Sequence, residues 1–210
     1  QQRPVLWSAA LLTGKAAAAG FMASFVAGLL LACACSQSRV IQRSLYPYAI
    51  FLQTVPIVGI APLIVVWFGY GFTSVVVVAF IISLFPIITN ATAGLTTIDR
   101  NLLELFELGG ASRWQTLIKL RLPSSVPYLA TGARISGGLA VVGAIVGEIF
   151  AGSGMEAVGL GYLINQSHGN MRTDQLFAAI LTSTLLGIVI FGSVSFVSGL
   201  LLRRWHGDTK

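Results

Sequence analysis

Charge is what this chain has least of. Of its 210 residues, 13 are Lys or Arg and 7 are Asp or Glu, 10% in all. Soluble domains carry about 25% charged residues, so a water-soluble globule is excluded. The net charge of +6 comes without a basic cluster interleaved with aromatics, so nucleic acid is excluded as a partner. Cysteine is scarce as well. Cys33 and Cys35 are the only two; two residues apart in an apolar helix, they point to different faces. They read as buried thiols and imply no disulfide framework. The two histidines, His168 and His206, lie far from them, which argues against a metal site. Gly14-Lys15 is followed by Ala16, so the chain lacks the glycine-rich loop that cradles nucleotide phosphates. Neither Gly-x-Ser-x-Gly nor His-Glu-x-x-His occurs. The chain reads as no enzyme, with no catalytic residue, cofactor or metal of its own.

What is abundant is hydrocarbon: 55% of the residues are hydrophobic. Five apolar segments approach the length that crosses a bilayer. They run from about Ala16 to Cys35, Leu45 to Phe68, Thr73 to Leu95, Tyr128 to Phe150 and Leu176 to Leu202. The expected fold is therefore all-α, a polytopic transmembrane helical bundle forming a single domain over residues 1–210. Residues 1–15 read as a mixed leader to the first span, Ser36 to Ser44 as a polar loop, and Ala151 to Gln175 as a glycine-rich loop. Within that last loop, Val158 to Ile164 is apolar and expected to tuck against the bundle.

Polar and helix-breaking residues inside the spans mark candidate pathway positions. Pro47, Pro56 and Pro62 interrupt the second segment. Each removes a backbone donor, and in hydrocarbon the freed carbonyls must face protein or a wet cavity. Gln53 and Thr54 precede Pro56 and are candidate pathway residues; an ordinary kink is the alternative. Asn90 in the third segment either bonds across helices or meets solute. Arg134 in the fourth is expected to snorkel toward water. Glu148 near the far end of that segment is costly in a membrane and so a functional suspect. It reads either as part of a gate or as a cap on the Gly152 to Gly154 turn. Tyr128 to Glu148 rises ~30 Å, about one hydrocarbon thickness, which puts Glu148 at the end opposite the fourth segment's start. Gly143 and Gly147 share a face where another helix can come close.

Basic residues set the orientation. Arg39, Arg43, Arg100, Arg113, Lys119, Arg121, Arg203, Arg204 and Lys210 fall on one side, against Arg3, Lys15 and Arg172 on the other. The first side is cytoplasmic by the positive-inside rule.

The longest charged insert, Asp99 to Pro127, belongs to that side. Asn101 with Glu104 three residues on predicts a capped short helix carrying Leu102, Leu103, Leu105, Phe106 and Leu108. Gly109 and Gly110 end it. Ser112 with Gln115 predicts a second capped helix. Trp114, Leu117 and Ile118 are expected on one apolar face, and Pro123 is expected to stop it.

Glu104, Gly110-Ala111-Ser112-Arg113-Trp114, Ile118 and Leu122-Pro123 resemble the EAA loop of ABC importer permeases. Leu105 and Phe106 depart from the family's usual two alanines, and Gly109 from its usual leucine. Gln53-Thr54-Val55-Pro56, Ala61-Pro62-Leu63, Trp67-Phe68-Gly69, Phe85-Pro86 and Gly159-Leu160-Gly161-Tyr162-Leu163-Ile164 are similar to the sulfonate, taurine, nitrate and pyrimidine-precursor branch.

The resemblance implies a multi-pass protein of the bacterial inner membrane, working as a homodimer. It implies a cytoplasmic ABC ATPase dimer that supplies ATP and Mg²⁺, and a soluble extracytoplasmic binding protein that delivers a small solute. Residues 99–124 would be the coupling loop, with Glu104, Gly110, Ala111, Ser112, Arg113, Trp114 and Pro123 engaging the ATPase. One further span would precede Gln1. A sulfonate, taurine or nitrate path calls for a deep cation, and Arg134 is the only basic residue within a span, so an uncharged pyrimidine precursor or flavin fits better. A channel or secondary carrier working alone is the alternative of another class; it calls for a partnered acid, and Glu148 has none in the sequence.

Overall fold

The computed structural model describes residues 2–154 and 158–205. Arg3, Arg39, Arg203, Arg204, Trp205, His206 and Lys210, invoked above for orientation or the interface, have side chains outside the described residues, as does Gln53. The described chain is helical almost throughout. Four helices are long and apolar enough to cross a membrane: Pro4–Gln37, Phe72–Thr96, Arg113–Ala151 and Thr173–Leu202.

In chain order, α1 (Gln2–Gln37) is followed by α2 (Arg39–Thr54), α3 (Ile57–Phe68) and α4 (Phe72–Thr96). The charged insert forms α5 (Arg100–Leu108) and α6 (Arg113–Thr116). A π turn, Leu117–Arg121, leads into α7 (Leu122–Ala151). After a 3₁₀ turn at Gly152–Gly154 come α8 (Leu160–Gly169) and α9 (Thr173–Trp205).

Four expectations need correction. Residues 2–15 continue α1 rather than leading up to it; they are rich enough in Ala and Leu to extend the helix. The expected loop at Ser36 to Ser44 is mostly helix, because Ser38 accepts a hydrogen bond from Val40 N and starts α2 at once. The second segment is two helices. Val55 (φ −77°, ψ 124°) and Pro56 (φ −62°, ψ 114°) are extended, since a residue before proline is pushed out of the helical region. Finally, the glycine-rich loop contains a helix of its own, α8, whose Leu160 is fully buried as the tucked segment predicts.

The core lies where α1, α4 and α7 pack together. Val75, Ala79, Ala140, Val141 and Ala144 join Ala16 and Ala17 there. The approach of α7 to α4 is very close. A Cβ on Gly143 would stand 2.6 Å from Ile82 Cγ2 and 2.7 Å from Ala79 Cα, and one on Gly147 2.9 Å from Val75 Cα. Only a bare backbone fits at that distance, and small residues are how helices gain packing energy in lipid. Hydrogen bonds also join the three helices: Ser83 Oγ of α4 donates to Ser24 Oγ of α1 (2.9 Å), and Ser136 Oγ of α7 to the Ser83 carbonyl (2.6 Å). α4 and α7 run antiparallel, because the loop joining them turns the chain back. Their opposite ends meet where Gly71 N donates to the Ala151 carbonyl at 3.2 Å.

Helix α9 packs on α7 and α8. Its outer face leaves Phe177, Leu181, Leu185 and Ile188 more than half exposed, as lipid-facing residues should be.

Candidate functional site

The loop joining α4 to α7 is built from local hydrogen bonds. Asp99, not Asn101, caps α5: its Oδ1 accepts from Asn101 N at 2.9 Å. A carboxylate two residues ahead is as good an acceptor as any, and the helix starts two residues earlier than the sequence predicts. Glu104 instead pairs with Arg100 Nε at 2.9 Å.

Helix α5 ends as expected at Gly109, and Gly110 takes φ +70°. Ala111 N reaches the Phe106 carbonyl and Gly110 N the Glu107 carbonyl, both at 3.0 Å. This is a Schellman end, which needs a left-handed residue at that position. Ser112 and Gln115 form the predicted capping box, each side chain accepting from the other's backbone N–H.

Two expectations fail beyond it. Pro123 does not stop the helix. The π turn shifts the hydrogen-bond ladder to i−5, with Leu122 N on the Leu117 carbonyl. Pro123 then falls in the first turn of α7, where proline is tolerated. Nor do Trp114, Leu117 and Ile118 share one face. Leu117 is buried in the bundle, whereas Trp114 (69% exposed) and Ile118 (60%) point away. Leu105 and Leu108 (88%) are exposed as well, so the short, charged helices and the π turn carry exposed apolar side chains. Glu104, Ser112 and Arg113 are also exposed, and Ala111 is half-buried. Arg121 reaches back from the π turn to donate to the Ser36 carbonyl at the end of α1, at 2.7 Å.

A second feature is a cavity of about 550 Å³ between the α2–α3 break, α4 and α7. Thr54, Pro56, Phe85, Thr89 and Asn90 line it with several isoleucines, and among the described residues no charged side chain does. So the structure brings Thr54 and Asn90, 36 residues apart in sequence, to one wall. Asn90 does not bond across helices: its Nδ2 donates to the Pro86 carbonyl of its own helix at 2.8 Å. Thr89, which the sequence did not single out, lies one residue before Asn90 on the same wall. Arg134 is half-buried in α7, with its Nε sealed and unpaired among the described residues.

Glu148 is not part of this cavity. It lies nine residues past Leu139 on α7, ~14 Å further along the helix. It is completely buried. Its Oε2 accepts from Thr13 Oγ1 at 2.9 Å and from Gly161 N at 2.8 Å. Leu160 N donates to Thr13 Oγ1 at 2.9 Å. Its partners are therefore the Thr13 hydroxyl of α1 and an N–H of α8, not the backbone of the Gly152 to Gly154 turn. Thr13 was missed because nothing in a run of Ala, Leu and Thr marks one hydroxyl as a partner for an acid 135 residues away.

This chain is similar to permease proteins. It is 37% identical over 204 residues to the riboflavin transport system permease protein RibX of Chloroflexus aurantiacus, covering 97% of this chain and 74% of that protein. It is 36% identical over 183 residues to the formylaminopyrimidine transport permease protein ThiX of Halalkalibacterium halodurans, covering 87% and 72%. A sulfonate relative is more distant: the putative aliphatic sulfonates transport permease protein SsuC of Bacillus subtilis is 28% identical, covering 91% and 68%. In fold, the chain is similar to one from the MetNI methionine ABC transporter in an inward-facing conformation. That match has a TM-score of 0.70 at 20% identity and covers 96% of this chain and 94% of that one.

The family model described as "binding-protein-dependent transport system inner membrane component" matches residues 24–206. It takes in the bundle, the capped loop and the cavity, and the chain belongs to that family, as a multi-pass inner-membrane permease.

Proposed function

We propose that the chain is the membrane subunit of an ATP-driven importer of a small uncharged solute. A two-fold pair of copies forms the passage, a cytoplasmic ATPase dimer docks on the α5–α6 loop, and a soluble binding protein delivers solute at the opposite end. The observation that carries this reading is the exposure of Leu105, Leu108, Trp114 and Ile118 on the charged loop. Apolar side chains exposed on capped, charged helices call for a protein groove rather than lipid. Glu104 and Arg113 are exposed on the same loop, where they can pair with groove residues, and Gly110 holds the bend. A symmetric ATPase pair needs two such loops, and closed two-fold dimers are the commonest assembly.

The cavity supports the choice of solute. Hydrophobic walls with a few polar groups suit a ring that offers hydrogen-bonding edges. Thr54, Thr89 and Asn90 provide those groups, and Gln53 precedes Thr54 in the chain. A sulfonate or nitrate would enter a cavity that no cation among the described residues lines, at high desolvation cost. Relatives named for riboflavin and formylaminopyrimidine transport point the same way. A flavin or a pyrimidine precursor is therefore the proposed cargo.

The test is reconstitution. The chain, expressed with its candidate ATPase and binding protein, should co-purify as two permeases and two ATPases. In liposomes it should take up labelled riboflavin or an aminopyrimidine with ATP, and not taurine or nitrate. Isolation of the chain alone with solute-driven flux and no ATP requirement would establish a secondary carrier instead.

A further inference from the structure

Helix α8 starts without a capping side chain. Its N-cap is Gly159, in the extended conformation usual for that position (φ −91°, ψ 174°), and no side chain of its own accepts from the first turn. Four N–H groups at a helix start need partners, and in a buried setting each unpaired one is costly. Here two partners arrive from other helices. Thr13 of α1 accepts from the first N–H, that of Leu160. Glu148 of α7 accepts from the second, that of Gly161, which is the N–H a capping side chain ordinarily takes.

The replacement is spatial as well as chemical. A Cβ built on Gly159 falls on the Glu148 carboxyl group itself. The carboxylate thus fills the place where a serine or aspartate at residue 159 would put its own side chain. Gly161 is constrained in the same way: a Cβ there would meet the Ile145 carbonyl and stand 2.8 Å from Glu148 Cβ. An anion at a helix N-terminus also meets the positive end of the helix dipole.

We infer that Glu148 is a positioning residue, the capping group of α8 supplied by α7, which with Thr13 locks α8 onto α1 and α7. The inference rests on the importer reading for its consequence. The lock lies at the end of the bundle away from the α5–α6 loop, where α4 begins and α7 ends. Held there, α8 covers the end of the core at which the binding protein docks. Loosening it should raise ATP hydrolysis in the absence of binding protein and lower transport per ATP.

The experiment is a pair of substitutions, each harmful alone, that should compensate each other when combined. Glu148→Ala removes the cap and should speed hydrogen exchange at Leu160 and Gly161 about tenfold in the assembled transporter. Gly159→Ser alone should also be harmful, because its side chain meets the carboxylate. Together, in Glu148→Ala/Gly159→Ser, the serine has room and takes over the cap. The double variant should accumulate better than either single one and recover most of the exchange protection and the ATPase response to binding protein. Glu148→Gln keeps an acceptor oxygen and should fall between parent and Glu148→Ala. If the double variant is no better than Glu148→Ala in accumulation, exchange and ATPase response, the inference is wrong. If it recovers protection while the unaltered chain shows no ATP-driven uptake, the importer reading fails and the cap stands.

Discussion

Arg121 and Ser36 join the charged loop to the far end of the first helix. The Arg121 Nη1 donates to the Ser36 carbonyl at 2.7 Å, two residues before Ser38 caps α2. This contact ties the π turn that carries Arg121 to the junction of α1 with α2. Helix α2 runs from that junction to the Val55-Pro56 break beside the cavity.

From this contact, Arg121→Met should cost about 1.5–3 kcal/mol, the range for a hydrogen bond made by a charged group. A thermal shift of the purified complex measures it. Transport per ATP hydrolysed should fall more than ATP hydrolysis does, since the loop would move without carrying α2. Equal loss of both would show that the contact only stabilises.

Gly110→Val should leave the chain in the membrane and uncouple it. The position has φ +70°, which costs a β-branched residue of order 1–2 kcal/mol, and nothing lies within 4 Å to clash. The strain falls on the bend rather than on the core. Gly110→Asn, which tolerates this conformation better, should retain more transport; equal activity of both variants and the parent would refute the role of the bend.

Glu104→Gln isolates docking from folding. The Arg100–Glu104 pair is exposed, so its loss should not measurably change thermal stability. ATPase affinity for the permease, read by co-purification at rising salt, should weaken if Glu104 meets a basic groove. Unchanged affinity at every salt concentration would remove Glu104 from the interface.

Two glycines of α7 should behave oppositely. Gly143→Ala forces a Cβ onto Ala79 and Ile82 and should cost about 1–3 kcal/mol, the range for overpacking. Gly138 has open space, and Gly138→Ala should be neutral or gain up to about 1 kcal/mol of helix propensity. Fluorescence-detected melting of detergent-solubilised protein ranks them.

At the cavity, Asn90→Leu and Thr54→Val should raise the KM for uptake about three- to tenfold, the worth of one hydrogen bond each. Basal ATP hydrolysis should not follow. A fall in hydrolysis with unchanged KM would place both residues in the moving parts rather than on the solute.

Much of this was legible in the residues. Helical apolar runs, the Ser112–Gln115 capping box and the left-handed Gly110 are local matters. Each depends on a few neighbouring residues whose hydrogen-bonding options are short-range. The sequence therefore determined a helical membrane bundle, a two-helix polar loop and a proline-broken segment. Local pattern was misleading where an alternative lay two residues away, as with Asp99 in place of Asn101, or where an irregular turn absorbed a proline, as at Pro123.

The tertiary structure decided which polar residues meet. Thr54 and Asn90 share a cavity because the α2–α3 break packs beside α4. Glu148 lies beyond the cavity lining and meets the uncapped start of α8 because α7 comes close enough to place its carboxyl group where Gly159 has no side chain. Such contacts join residues 13 to 147 positions apart. A carboxylate's partner is fixed by which helix ends pack against it, and that packing follows from small residues on three separate helices acting together.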